Sequence, residues 1–265
     1  MRILNCSSVE TTIKSLSTLL KTKEEILNSF IDSNKYRITN NDSLWKYNDL
    51  TIEDILNHFD LNENEIIPDK LVMFHLTSAL DDNSFREKGI LNLESVIKDD
   101  IFSGFLEECG IKVCYQDDSP PLLEFKGKEY KEELLFHRFK NDKCINGFLI
   151  NEDTENNTNV SHIRECPEFI WDIGNLIKMP EIVDKWKEKA KPLKLSLLVN
   201  YGDINSFEPS KYVLKAIEYI LFKQTGYWGP EENHMVFLKE DICISPEKIL
   251  KIEKVNYFHQ LNYIV

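Results

Sequence analysis

Apolar positions recur at helical spacing through the first sixty-odd residues. Ile13, Leu16, Leu19 and Leu20 fall on one face of a first helix, and Ile26, Leu27, Phe30 and Ile31 on one face of a second. Ser7-x-x-Glu10 and Thr22-x-x-Glu25 fit capping boxes, in which a hydroxyl and a carboxylate satisfy the open N–H groups of a first turn. Thr51 opens a third helix carrying Ile52, Ile55, Leu56 and Phe59. These patterns predict a helical N-terminal unit over residues 1–66, bounded by Pro68.

After Pro68 the pattern shortens and alternates. Leu71 to Phe74 reads as a buried strand surfacing at His75. Helical stretches follow at Phe85 to Gly89, Leu93 to Ile97 and Ile101 to Cys109, the last stopped by Gly110. Lys112 to Tyr115 and Leu122 to Phe125 are strand candidates with a turn at Lys126-Gly127-Lys128, and Glu132 to Phe139 is a short helix. Ile145 to Ile150 is strand-like, and Asn151 to Ser161 is a long polar loop, a length that points to mobility or function. Helices over Glu168 to Ile177 and Pro180 to Ala190 precede a strong strand at Leu193 to Val199. An amphipathic helix over Lys211 to Lys223 leads into strands at Met235 to Leu238, Ile242 to Ile244 and Leu250 to Val255. The fold class is α+β: the helical unit, then a mixed or antiparallel sheet domain over residues 67–265.

Composition adds limits. The chain has 265 residues, enough to bury a core without disulfides or metals. Its formal net charge of −13 runs against a general nucleic-acid binder. The one dense basic run, Lys185 to Lys194, reads first as a solvated helix end. Of the six cysteines, none forms a C-x-x-C, and the start MRILNCSSVETT lacks the apolar core of a signal peptide. Reduced thiols in a cytoplasmic protein are the expectation. No apolar run approaches the ~18 residues of a membrane span.

Two constellations carry candidate chemistry. His75 is followed by Thr77 and Ser78. The plain reading is a half-buried histidine tied to backbone. The functional one is a ribose or phosphate site, since imidazole offers one donor and one acceptor. The second is TGYWGPEENHMVFL, where Tyr227 and Trp228 precede Glu231 and Glu232 at the entrance of an apolar strand. It reads as a surface turn, or as a carboxylate placed to stabilise a cationic transition state beside a stacking aromatic. Arg138 is either a pyrophosphate clamp or the partner of a nearby acid. No zinc-like pair of ligand pairs, G-x-S-x-G elbow or P-loop is present, so no metal is expected.

His75-Leu76-Thr77-Ser78, with Gly89-Ile90 fourteen residues after the histidine, resembles the first motif of ADP-ribosyltransferases of the poly-ADP-ribose polymerase and bacterial toxin type. Ile145-Asn146-Gly147-Phe148-Leu149-Ile150 is similar to the family strand that stacks the nicotinamide. Glu231 to Leu238 and Ile244-Ser245-Pro246-Glu247-Lys248-Ile249 resemble its ending. The likeness spans residues 70 to 257 in outline. Leu76 stands where the family has glycine, no tyrosine follows in the Phe148 strand, and the glutamate is offset by a residue or two. RNA 2′-phosphotransferases share the outline, but their basic set is not evident here. The resemblance implies NAD as substrate, with ADP-ribose passed to a protein or nucleic-acid target, or NAD simply cleaved. It implies that His75, Thr77 and Ser78 hold ribose and amide, that Phe148 or Tyr227 stacks a ring, and that Glu232 or Glu231 is the polarising acid. The alternative is a non-catalytic nucleotide- or protein-binding module of the same fold.

Overall fold

Residues Lys70–Ala79 form the longest strand of the first half, here β2. It does not stop at His75. Leu76 and Ser78 are buried while His75 and Thr77 are half-buried, so the period-two alternation of a strand continues through the polar residues. A computed structural model of the chain describes residues 1–35, 37, 50–116, 119–131, 144–205, 208 and 210–255. The predicted helix at 132–139, and Arg138 within it, lie outside the described residues. The architecture is α+β, with antiparallel pairings in both sheets and a parallel pairing near the N-terminus. Among the described residues no helix is long and apolar enough to cross a membrane.

The chain divides into two compact units. The first comprises Met1–Phe74, Asn146–Asn157 and Ser196–Phe237; the second comprises His75–Ile145, Thr158–Leu195 and Leu238–Val265. The predicted helical unit of residues 1–66 is therefore part of a larger, discontinuous body. It is also not wholly helical. Ile3–Leu4 form β1, which runs parallel to the start of β2 in the register Ile3↔Lys70 and Leu4↔Leu71.

In the first unit, helices Val9–Leu19, Glu24–Asn34 and Ile52–Phe59 pack with helix Lys211–Thr225. Val213, Ala216, Ile217 and Ile220 of that helix are fully buried. The caps differ from those predicted. Ser8, not Ser7, caps the first helix: its Oγ accepts from the Thr11 N–H at 3.2 Å, and Thr11 Oγ1 accepts from the Ser8 N–H at 2.9 Å. Thr22 closes the end of that helix instead of opening the next. Its N–H donates to the Ser17 carbonyl at 3.0 Å past Lys21, which has φ 50°. The second helix starts at Lys23 with no side-chain cap. Thr51 caps the third as expected, paired with Asp54. The strands of this unit run in the order β8 (Met235–Phe237), β6 (Asn146–Phe148), β2, β7 (Lys191–Asn200). β6 is antiparallel to both neighbours, with Phe74↔Phe148 and Phe148↔Met235 in register. The Asn151–Ser161 segment is not an open loop: 3-10 helices Thr154–Asn156 and Thr158–Arg164 order it, and Asn157 Nδ2 donates to the Pro230 carbonyl at 2.6 Å.

In the second unit, β3 (Ile111–Gln116), β4 (Ser119–Phe125) and β5 (Lys128–Tyr130) form an antiparallel meander, with Ile111↔Phe125 and Val113↔Leu123 in register. Ile111, Leu123 and Phe125 join one core with helices Asp100–Glu108, Glu168–Ile177 and Glu181–Lys189. Trp186 lies in that core, edge-on to Phe105 with centroids 5.1 Å apart. Here β7 lies between β2 and β9 (Ile249–Lys254), and the Val255 N–H reaches the Pro192 carbonyl at 3.0 Å. The strand predicted at Ile242 to Ile244 reduces to one bridge. Ile90 and Ile244 exchange both backbone hydrogen bonds at 2.8 Å, too short a pairing to extend a strand.

Candidate functional site

Three of the residues singled out in the sequence meet in one cavity of the second unit. His75, Thr77 and Ser78, polar positions of β2, line a space of about 160 Å³. His75 and Thr77 share a strand face because residues i and i+2 point the same way. Helix Ser84–Lys88 and the Gly89-Ile90 step form another side, and Val96, Phe102 and Trp186 supply apolar wall. Polar groups at one edge against apolar walls make a general small-molecule pocket. Its volume is of the order of one ring or one sugar, and it opens to solvent.

Local structure explains each placement. Gly89 has φ 76°, and a Cβ built there would stand 1.9 Å from the Ile244 carbonyl oxygen. Only glycine allows the helix to end and the Ile90–Ile244 bridge to form in so little space. Ser78 is buried, and its Oγ accepts a hydrogen bond from Trp186 Nε1 at 2.9 Å. That bond satisfies the indole donor and occupies one lone pair of the hydroxyl. At the rim Lys88 is paired with Asp99, whose hydrogen bond raises the lysine pKa. Asp99 Oδ1 also accepts from the Ile101 N–H at 3.0 Å, capping the next helix. Asp81 Oδ1 accepts from the Asn83 N–H at 2.9 Å, and Ser84 Oγ donates to the Asp81 carbonyl at 2.7 Å.

The other candidate residues belong to the first unit or lie outside the described residues. Phe148 is 1% exposed between Phe74 and Met235 in the sheet, which leaves its ring no open face for a ligand. Tyr227 is 55% exposed. Glu231 and Glu232 are exposed on the 3-10 helix Pro230–Asn233, where the Glu232 N–H donates to the Gly229 carbonyl at 3.0 Å. Their neighbour Asn233 is fully buried, its Nδ2 donating to the Ile150 and Glu152 carbonyls. Trp228 lies edge-on to Tyr219 at 4.9 Å, and the Tyr219 hydroxyl donates to Glu152 at 2.8 Å.

Trp186, Lys88 and Asp99 escape sequence reasoning. Trp186 sits inside the basic run, where charge is the conspicuous feature. Yet Ile182 and Trp186 are four apart on a helix, the spacing of a buried face. The run itself is neutralised by acids: Lys187 pairs with Glu165 at 2.5 Å, Lys189 with Glu108, and Lys191 with Asp82 at 2.9 Å. Among the described residues, no cluster of three or more histidine, cysteine or acidic side chains is placed to hold a metal ion. No disulfide joins any of the six cysteines. No protein-family model, no curated protein and no solved structure matches the chain.

Proposed function

We propose that the chain is an NAD-dependent ADP-ribosyltransferase-like protein whose ribose and amide contacts are His75 and Thr77. One observation carries the reading. His75, Thr77 and Ser78 line a single cavity with Gly89 and Ile90, the residues of the first motif in the resemblance. Imidazole and hydroxyl groups can each donate and accept hydrogen bonds, chemistry that suits a vicinal diol. In the reaction, the bond between the ribose C1′ and the nicotinamide nitrogen breaks and its electron pair leaves with nicotinamide. A nucleophile of the protein or nucleic-acid target, or water, bonds to C1′ and gives up a proton. The ribose passes through an oxocarbenium-like state, for which the resemblance implies Glu232, or Glu231, as the stabilising carboxylate. A cytoplasmic setting, where thiols stay reduced, belongs to the same proposal.

A second reading, nucleotide binding without turnover, draws on a specific observation. The cavity's own carboxylates, Asp81 and Asp99, are already engaged with backbone N–H groups. Thermal melts and nicotinamide release separate the two. ADP-ribose at a hundred times its Kd should add about 2.7 kcal/mol to the stability of the bound state. His75→Ala should abolish the shift in Tm while leaving the ligand-free melt nearly unchanged. With turnover, Glu232→Gln should cut nicotinamide release by about 100-fold with little change in binding. A ligand shift with no release supports the second reading. No shift at millimolar ligand overturns both.

A further inference from the structure

β9 ends the strand order β2-β7-β9, and among the described residues no strand lies along its outer side. Such an edge is a template for another strand unless it is blunted. Beside it runs a groove of about 540 Å³, bordered by Phe85, Arg86 and Pro246 and by β9 itself. Leu250, the second residue of the strand, is 54% exposed, and Lys251 and Glu253 sit two residues apart on one face, 2.8 Å from each other.

We propose that β9 is a self-pairing edge: two copies of this chain join antiparallel along it, about a two-fold axis at Ile252. Read in both directions, Ile249-Leu250-Lys251-Ile252-Glu253-Lys254-Val255 complements itself. With the axis at Ile252, Lys251 faces Glu253 of the second copy, and Glu253 faces its Lys251. Ile249 meets Val255, and Ile252 meets Ile252. On the opposite strand face, Leu250 stands against the aliphatic stem of Lys254 of the second copy and diagonal to its Ile252. The pairing covers the exposed leucine and makes two ion pairs at once.

The same sequence rejects neighbouring registers. A two-fold axis normal to the sheet keeps each side chain on its own face, so opposed residues must have matching parity. Moving the axis to Lys251 sets lysine against lysine, and moving it to Glu253 sets glutamate against glutamate. Like charges directly opposite are destabilising. The contact is isologous and closes as a dimer. A single strand pair is a small interface, in the class of weak, transient association. The charge of −13 on each copy also opposes approach, so physiological salt is the right condition, with a Debye length of about 8 Å.

Sedimentation of the full chain tests this directly. The weight-average mass should rise above the 31.1 kDa monomer toward twice that value across a concentration series reaching about 1 mM. Lys251→Glu, which opposes glutamates at both sites, should weaken association by about 10-fold or more. The reversed pair Lys251→Glu with Glu253→Lys should restore it, and circular dichroism should show all three chains equally folded. A monomer throughout the series overturns the proposal. So does a dimer that Lys251→Glu leaves intact, or one that the reversed pair fails to restore.

Discussion

His234 shows how one side chain records its surroundings. It follows the Pro230–Asn233 helix at φ 55°, half-buried, with its ring 5.5 Å from that of Tyr212. Burial, then the charges of Lys215 and Lys211, lowers its pKa to about 4. The unfolded chain holds this histidine near 6.5. Between those values the unfolded state binds the proton and the folded state does not, so stability falls as pH drops from about 6.5 to 4. The loss should be on the order of 1–3 kcal/mol. Urea unfolding at several pH values in that window measures it. His234→Asn, which tolerates positive φ, should flatten this part of the profile. An unchanged slope would place the titration on other groups. Glu65 acts lower: Lys21 holds its carboxyl down at about 2, so its contribution is lost only as pH falls from its unfolded value of about 4.5.

At the scale of elements, two glycines make opposite predictions. Gly89→Ala forces a methyl into the Ile244 carbonyl and strains a left-handed backbone. The Ile90–Ile244 bridge should open, at a cost of about 3 kcal/mol or more. At Gly104, inside helix Asp100–Glu108, an added Cβ would meet nothing within 4 Å. Gly104→Ala should therefore stabilise by about 0.5–1 kcal/mol, the helix-propensity gain. Paired thermal melts decide, and equal effects at the two sites would remove the steric account. The contrast also bears on the sequence. Gly89-Ile90 stands out in the sequence as part of a motif, but its need for glycine comes from a carbonyl 155 residues further on. Most long elements are legible because burial writes their periodicity, as in Glu168–Ile177 and Lys211–Thr225. β1 is not, because two residues carry no period.

For the molecule as a whole, charge is the dominant bulk property. The net charge of −13 at pH 7 vanishes near the pI of about 5.0. Mutual repulsion between molecules disappears there, so solubility should pass through a minimum near pH 5. Turbidity against pH at fixed ionic strength checks this, and a flat profile from pH 7 to 4 would contradict it. Within the basic run at 185–194, Lys187, Lys189 and Lys191 each face an acid, so the run offers little concentrated field to a polyanion.

The sequence alone determined the α+β class, the ends of most helices to within a residue or two, and the grouping of His75, Thr77 and Ser78. All of these are local: they follow from side-chain periodicity, capping chemistry and adjacency along the chain. Tertiary structure decided the rest. It carried β2 through His75 and buried Phe148 between two neighbouring strands. It brought Trp186, 108 residues away in sequence, onto Ser78. Those outcomes depend on partners remote in the chain, whose burial and hydrogen bonds leave no periodic trace around the residues they fix.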